Sequence, residues 1–341
     1  MQEVIEHALH RLMERQDLTV DQMRAVISTI MEGQSSEVEI AALLTALRVK
    51  GESVAEIAGA AQAMVDHATP IDTQRTGLLD TCGTGGDQLH TFNISTTTAF
   101  VVAGTGIPVA KHGNRSVSST SGAADVLEAL GVNIQLTPQR VGQCVREIGL
   151  GFCFAPLLHG AMKHVAPIRK QLKFRTIFNL LGPLTNPARA EFQLIGTGRI
   201  ETAEKLAQAL TLLNRKRACV VCGAGQLDEV ALWGTTTAFE VQQQTVTRHA
   251  WTAADFGLPE CHPDQLRVTS PQQSAEVVRG ILDGVLGPAR DIVIANSAAA
   301  LWVAERAPDL LSAAKQAAAA IDSGAARGVL QRLIEMSNQP V

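Results

Sequence analysis

A change of hydrophobic period at Ala68-Thr69-Pro70 divides the chain into two parts that cannot share one architecture. Before it, the residues read as one helix after another. Thr19 with Gln22, Ser36 with Glu39 and Ser53 with Glu56 each have the spacing of a capping box, in which side chain and backbone satisfy orphan amides of a first helical turn. Gly33 and Gly51 stand where helices end. Ile40, Leu43, Leu44 and Leu47 form a stripe at helical spacing, which reads as domain core. Ala41, Ala42, Leu43 and Leu44 also run apolar around much of that helix, so a second apolar surface facing another subunit is an alternative. From Leu78 onward, short apolar strands alternate with helices, the pattern of a parallel sheet. Strands are expected at 78–82, 107–110, 151–154, 192–197 and 218–222, with helices near 94–103, 121–130, 138–148 and 200–213. The expected fold is therefore α/β: a small all-helical N-terminal domain (1–72) and a larger α/β domain (73–341) with a mainly parallel central sheet. The segment 158–187, with basic residues and Pro167, Pro183 and Pro187, is expected to pack back on the helical domain.

Composition removes several functions. The chain has 341 residues, 46% hydrophobic and 18% charged, as a folded protein with a sizeable core requires. Its 29 Lys and Arg against 33 Asp and Glu leave a formal charge of −4, so no broad cationic surface exists for a nucleic-acid backbone. No stretch approaches the roughly 20 apolar residues of a membrane span, and Met1-Gln2-Glu3-Val4-Ile5-Glu6 carries acids where a secretory signal carries bases. A cytoplasmic protein with neither nucleic-acid nor membrane partners is expected. Tyrosine is absent, which excludes chemistry by a phenolic acid. Cys219 and Cys222 form a C-x-x-C, but within the apolar run Ala218 to Cys222, which reads as a buried strand rather than a zinc or redox site.

Three clusters carry chemistry. The first, Asp80-Thr81-Cys82-Gly83-Thr84-Gly85-Gly86-Asp87 followed by Thr91-Phe92-Asn93-Ile94-Ser95-Thr96, is a strand, a glycine turn and a helix start. Glycines let backbone approach an anion, and amides at the positive end of a helix would face it. It matches neither G-x-G-x-x-G, since Gln88 holds the sixth place, nor the P-loop. Taken alone it is also an ordinary tight turn. The second cluster, Lys111-His112-Gly113-Asn114-Arg115-Ser116-Val117-Ser118-Ser119, follows the next strand and holds more anion-binding groups than a solvated loop needs. Two such loops at consecutive strand ends imply a ligand with more than one phosphate. The third is the adjacent pair Asp228-Glu229 in a polar loop. On its own such a pair is solvated acidic surface; beside two phosphate loops it suits Mg²⁺, which takes few protein oxygens and completes its shell with waters and phosphates. Arg169 remains as a cation for a carboxylate, or as half of a structural ion pair.

Gly83-Thr84-Gly85-Gly86-Asp87, Asn93-Ile94-Ser95-Thr96, the segment Lys111 to Ser119 and the run Arg175-Thr176-Ile177-Phe178-Asn179-Leu180-Leu181-Gly182-Pro183-Leu184-Thr185-Asn186-Pro187 resemble the anthranilate phosphoribosyltransferase family, in order along nearly the whole chain. The resemblance implies a nucleoside phosphorylase/phosphoribosyltransferase-like fold and a homodimer through the helical domain. It implies transfer of the phosphoribosyl group from 5-phosphoribosyl 1-pyrophosphate to anthranilate, giving N-(5-phosphoribosyl)anthranilate and pyrophosphate, in tryptophan biosynthesis. By motif, Gly83, Gly86, Asp87, Thr91, Asn93, Ile94, Ser95, Thr96 and Lys111, His112, Gly113, Asn114, Arg115, Ser116, Val117, Ser118 and Ser119 would bind the donor. Gly83, Asn114 and Arg169 would meet anthranilate; Ser95, Asp228 and Glu229 would hold magnesium, expected as two ions. Lys111, Asn114 and Arg169 form the expected catalytic set. Ala123 stands where many relatives carry a donor-contacting serine and is left out, while Gly160 and Lys163 replace a common proline and arginine near the acceptor channel. Catalysis is expected from positioning and electrostatics, with His112 and His159 the nearby candidates for proton transfer or for structural hydrogen bonds. A pyrimidine-nucleoside phosphorylase and a nucleic-acid-binding relative are the alternatives; the charge of −4 and the pair Asp228-Glu229 weigh against the second.

Overall fold

The computed structural model describes residues 2–87, 89–116 and 121–340. Four helices, α1 (Gln2–Met13), α2 (Val20–Met31), α3 (Glu37–Lys50) and α4 (Val54–Asp66), form the N-terminal bundle. All three capping boxes are made: Thr19 with Gln22, Ser36 with Glu39 and Ser53 with Glu56 start α2, α3 and α4. Loss of such a cap typically costs about 1 kcal/mol. Glu56 does more than cap. Fully buried, it accepts the Leu18 N–H at 3.0 Å and the Lys50 Nζ at 3.0 Å, so one carboxylate joins the start of α2, the end of α3 and the start of α4.

Ile40, Leu43, Leu44 and Leu47 all point into the bundle and are buried, so Leu43 and Leu44 contribute nothing to an outer surface. The outward apolar positions are Val38 and Val49, 77% and 68% exposed, beside Met13 of α1. A helix that is apolar nearly all round therefore splits its residues between a core and a groove lined also by Leu12, Ala41 and Ala46.

The second part contains β1 (Leu79–Thr81), α5 (Ile94–Gly104), β2 (Val109–Gly113), α6 (Ala123–Leu130), α7 (Pro138–Ile148), β3 (Leu150–Phe154) and α8 (Ala155–Leu158). Short helices α9 (Ala166–Leu172) and α10 (Phe178–Leu181) lead to β4 (Phe192–Gly196), α11 (Ile200–Thr211) and β5 (Arg217–Cys222). A hairpin, β6 (Thr236–Gln242) and β7 (Thr245–Trp251), and the helices α12 (Pro271–Leu282), α13 (Pro288–Val303), α14 (Leu310–Asp322) and α15 (Ala325–Asn338) complete it. The sheet order is β3-β2-β1-β4-β5-β6-β7, parallel through β5 and antiparallel beyond.

Two departures from the sequence reading matter. The second strand runs to Gly113, because Lys111, His112 and Gly113 pair with Phe152, Cys153 and Phe154 of β3; Lys111 and His112 are thus strand residues, fixed by a ladder, rather than loop residues. The hairpin and the last four helices lie beyond the strand–helix alternation and cover the sheet's far edge and one face.

In β5, Ala218, Val220 and Cys222 join the core shared with α11 and the helical bundle, while Cys219 and Val221 join the core under α13. Cys219 and Cys222, three apart on a strand, therefore emerge on opposite faces and cannot share a ligand. Val165, Ile168, Ile177, Phe178 and Leu181 of the 158–187 segment belong to the same core as the bundle, and α3 packs on α9. Among the described residues no helix is long and apolar enough to cross a membrane.

Candidate active site

Strand order reverses at β1, which lies between β2 and β4, so the crossovers leaving β1 and β4 diverge and open a crevice at the strands' carboxyl ends. The first glycine turn fills it. Cys82 N–H donates to Leu194 O at 3.2 Å and Thr84 N–H to Gly196 O at 2.8 Å, carrying β1–β4 pairing into the turn. Gly86 has φ +92°, and a Cβ there would collide with Arg175 Nη1. At Gly196 a Cβ would collide with the backbone of Asp228, and at Gly83 it would lie 3.1 Å from Asp228 Oδ2. The glycines thus admit more than a ligand: they admit the acidic loop itself.

At the start of α5, Asn93 Oδ1 accepts the Thr96 N–H at 2.9 Å, and its Nδ2 donates to Ser121 O at 2.8 Å. Asn93 so caps its own helix and ties it to the second loop. Ile94 is 1% exposed with its side chain in the core, leaving only its backbone at the helix start. Thr91 bridges to Arg267 at the rim. Around this turn the buried atoms Asp87 Oδ2, Thr96 Oγ1 and Ser121 Oγ have no partner among the described residues. Such atoms cost about 1–3 kcal/mol each, and a metal-bound anion is the chemistry that would satisfy an acceptor and two hydroxyls together.

Lys111, 3% exposed, donates from Nζ to Thr81 O and, at 3.2 Å, to Ser95 Oγ, placing its charge beneath the α5 start. Arg115 points away from the turn. Its guanidinium is held by Glu128 at 2.6 and 2.7 Å and by Asp125 at 3.0 Å, both on α6, which raises its pKa. Ser116 N–H also donates to Asp125 Oδ2, and Asn114 is exposed at the lip. Val117, Ser118 and Ser119 lie outside the described residues.

The acidic loop is electrostatically loaded. Burial, then the charges of Asp87 and Glu229, push the Asp228 carboxyl well above its usual value. Burial raises Glu229 to about 8 against the pull of Lys111. Among the described residues no three His, Cys, Asp or Glu side chains form a closed metal cage. The donor set instead fits Mg²⁺, with Asp228, Glu229 and the free Asp87 oxygen supplying charge and phosphates supplying the rest. Trp233 Nε1 donates to Ala224 O at 3.1 Å, bracing this loop from behind.

The other wall comes from residues 159–186. His112 Nδ1 donates to Gly182 O at 2.9 Å, and its Nε2 meets His159 Nε2 at 3.1 Å. Burial lowers His112 to about 4; burial and the neighbouring His112 lower His159 to about 3. Arg169 is half-buried, with its pKa lowered by desolvation. It stacks 5.5 Å from the Phe178 ring centre and donates to Asn179 Oδ1 at 3.3 Å, and has no carboxylate partner among the described residues. Around Gly160 an added Cβ would meet open space, and Lys163 is exposed.

Sequence reasoning gave no role to several residues of this site. Asp80, fully buried, accepts the His112 N–H at 3.0 Å and Asn186 Nδ2 at 2.8 Å. Burial raises its pKa to about 6 although Lys111 opposes. Asn186 also donates to Ala110 O at 2.7 Å, so this pair hangs the 182–188 segment on β1 and β2. The available signals were an acid in the middle of a short buried strand and an amide between Pro183 and Pro187. Ser121 and Arg175 carried no local signal beyond their place in a motif.

Residues 75–327 match the family described as "Glycosyl transferase family, a/b domain", and residues 6–68 its helical bundle domain. An anthranilate phosphoribosyltransferase from Chromobacterium violaceum is 50% identical over 333 residues, 97% of each chain. One from Thiobacillus denitrificans is 48% identical over 335 residues, 98% of each. Among solved structures, the crystal structure of the Thermus thermophilus anthranilate phosphoribosyltransferase superimposes with a TM-score of 0.92 at 39% identity, covering 97% of this chain and 99% of that one. The Saccharomyces cerevisiae enzyme in complex with PRPP and Mg gives 0.90 at 27% identity, covering 99% and 98%.

Proposed function

The chain belongs to the anthranilate phosphoribosyltransferase family, and on that premise we propose how its residues carry the reaction. It transfers the 5-phosphoribosyl group of 5-phosphoribosyl 1-pyrophosphate to the anthranilate amine and releases pyrophosphate. The observation that carries the residue assignment is a crevice with a buried lysine under a helix start on one wall and a carboxylate-free guanidinium on the other.

The donor lies against Gly83, Gly86, Asp87, Thr91, Asn93, Ser95, Thr96 and the segment Lys111 to Ser119, its anionic oxygens facing the α5 amides and Lys111. Arg115, already paired on α6, acts by holding the second loop in place. Ser95, Asp228 and Glu229 would hold Mg²⁺, as two ions, which would supply charge to neutralise pyrophosphate oxygens. Lys111 adds a fixed charge that needs no reorganisation as the bond breaks. Gly83, Asn114 and Arg169 receive anthranilate, the guanidinium gripping its carboxylate. The aromatic amine is neutral near pH 7, attacks the ribose carbon with inversion and needs no strong base. His112 and His159 fit that demand: both are neutral, each engages the other's Nε2, and neither is basic enough to collect a proton near neutrality. They shape the acceptor wall.

We also propose a cytoplasmic homodimer joined through the groove of α1 and α3, without nucleic-acid or membrane partners; Met13, Val38 and Val49 are the apolar residues left outside on that face. Anthranilate fluorescence followed with the donor and Mg²⁺ tests the reaction. Decay that requires both supports it. No decay, with phosphorolysis of a pyrimidine nucleoside instead, would hand the site to the phosphorylase reading, and nucleic-acid binding alone to the other.

A further inference from the structure

Arg175 lies between α9 and α10, on the same short stretch as Arg169. It is exposed, and it forms no hydrogen bond, ion pair or ring contact with any described residue. Its position is nevertheless defined. A Cβ on Gly86 would collide with Nη1 and lie 3.3 Å from Cζ and 3.5 Å from Nη2, so the guanidinium rests on the bare face of the first glycine turn. Asn179 Oδ1 accepts the Thr176 N–H at 2.9 Å and Arg169 Nη2 at 3.3 Å, fixing the backbone next to Arg175 and one guanidinium with a single side chain. Thr176 Oγ1, buried beside it, has no partner.

An unpaired arginine on a glycine turn has no structural task there. Arg115, by contrast, is locked to two carboxylates. The turn beneath Arg175 leads into Asp87, whose carboxylate lies against that of Asp228 on the metal side of the crevice. A divalent ion draws the pyrophosphate end of the donor to that side, not the 5-phosphate end. We propose that Arg175 is a further pyrophosphate-binding residue, closing on the donor turn from the acceptor wall with the paired donors of its guanidinium. This rests on the reaction proposed above. Gly86 is then required twice, for its positive φ and for the room it leaves the guanidinium. Pyrophosphate held by Arg175 and carboxylate held by Arg169 then bear on one side chain, Asn179.

The test compares the native protein with Arg175→Ala and Arg175→Lys. Calorimetry with magnesium pyrophosphate gives Kd directly, and steady-state kinetics give KM for each substrate. In Arg175→Ala, pyrophosphate Kd and donor KM rise together by about ten- to a hundredfold, as loss of one charge-assisted contact implies. Anthranilate KM, inhibition by ribose 5-phosphate and melting temperature stay near native values, and Arg175→Lys recovers part of the loss. Pyrophosphate Kd unchanged in Arg175→Ala overturns the assignment; so does a loss confined to ribose 5-phosphate, which would place the arginine at the donor's other end. Arg175-dependent pyrophosphate binding in a native protein that consumes no anthranilate would leave this assignment standing and remove the proposed reaction.

Discussion

The two walls of the crevice meet burial in opposite ways. On the wall built by the turn after β1 and the loop after β5, Asp87, Asp228 and Glu229 are crowded together, and burial raises Asp228 and Glu229 even though Lys111 opposes it at Glu229. Where residues 159–186 meet β2, His112 and His159 are also desolvated but have shed their charge and satisfied each other. The acidic wall is unfinished until a cation arrives; the histidine pair of the other is finished in advance. An acidic site cannot relax without giving up the charge it needs for metal, whereas a neutral imidazole pair loses nothing by being buried. On the proposed reaction, the difference gives the divalent ion to the first wall and a neutral acceptor surface to the histidine pair of the second, whose Arg169 and Arg175 are left to meet anions.

The strongest way to break this contrast is to neutralise the unfinished wall. Asp228→Asn combined with Glu229→Gln should lower turnover by about a hundredfold or more at every magnesium concentration, while raising the melting temperature of the ligand-free protein at pH 8. Native turnover in that variant would move the metal elsewhere. Next in size, Arg169→Ala should raise anthranilate KM by about thirtyfold or more, the lower end of the roughly 2–5 kcal/mol lost when a buried charge pair is cut, with donor KM nearly unchanged; equal effects on both substrates would refute the division of walls.

Stability against pH gives a subtler reading. Glu229 is raised from 4.5 to about 8, so between those values the unfolded chain releases a proton that the fold retains, and stability falls as pH rises through that window. The histidines are lowered from 6.5 to about 4 and 3, so their contribution is present above 6.5 and fades as pH falls toward those values. Thermal melts of the ligand-free protein should therefore decline on both sides, with magnesium and pyrophosphate cancelling the alkaline limb only. His159→Gln should flatten the acid limb only, and any crossing of these effects would contradict the contrast. Smallest in its effect on catalysis, Val38→Glu with Val49→Glu should give monomers in sedimentation with turnover per chain close to native. A dimer that persists would place the interface elsewhere.

What could be read from residues alone follows the range of the interactions. Capping boxes, the glycine turn, the cationic cluster beginning at Lys111 and the adjacent carboxylates are local, and all are visible as spacing, although the ladder with β3 that fixes Lys111 was not. The β6–β7 hairpin escaped because its turn is Gln243-Gln244, both at positive φ (49° and 62°), where the usual signal is Asn or Gly. His112 with His159, Asp80 with Asn186 and Gly86 with Arg175 escaped for another reason. Each pair joins residues tens of positions apart, brought together only when the 159–186 segment folds across the strand ends. Even the apolar surface of α3 was legible only as a surplus; which leucines faced inward was decided by the bundle.

Trp233, hydrogen-bonded to Ala224, stands five residues after Asp228. The chain has three tryptophans and no tyrosine. The other two, Trp251 and Trp302, sit edge to face 5.6 Å apart at the sheet's antiparallel edge. Near-ultraviolet emission from this protein is thus free of phenol background, and among the described residues Trp233 is the indole hydrogen-bonded to the acidic loop. On the proposed assignment, seating of magnesium pyrophosphate should change the emission of that ring over the steady contribution of the other two, without a label, a coupled assay or turnover.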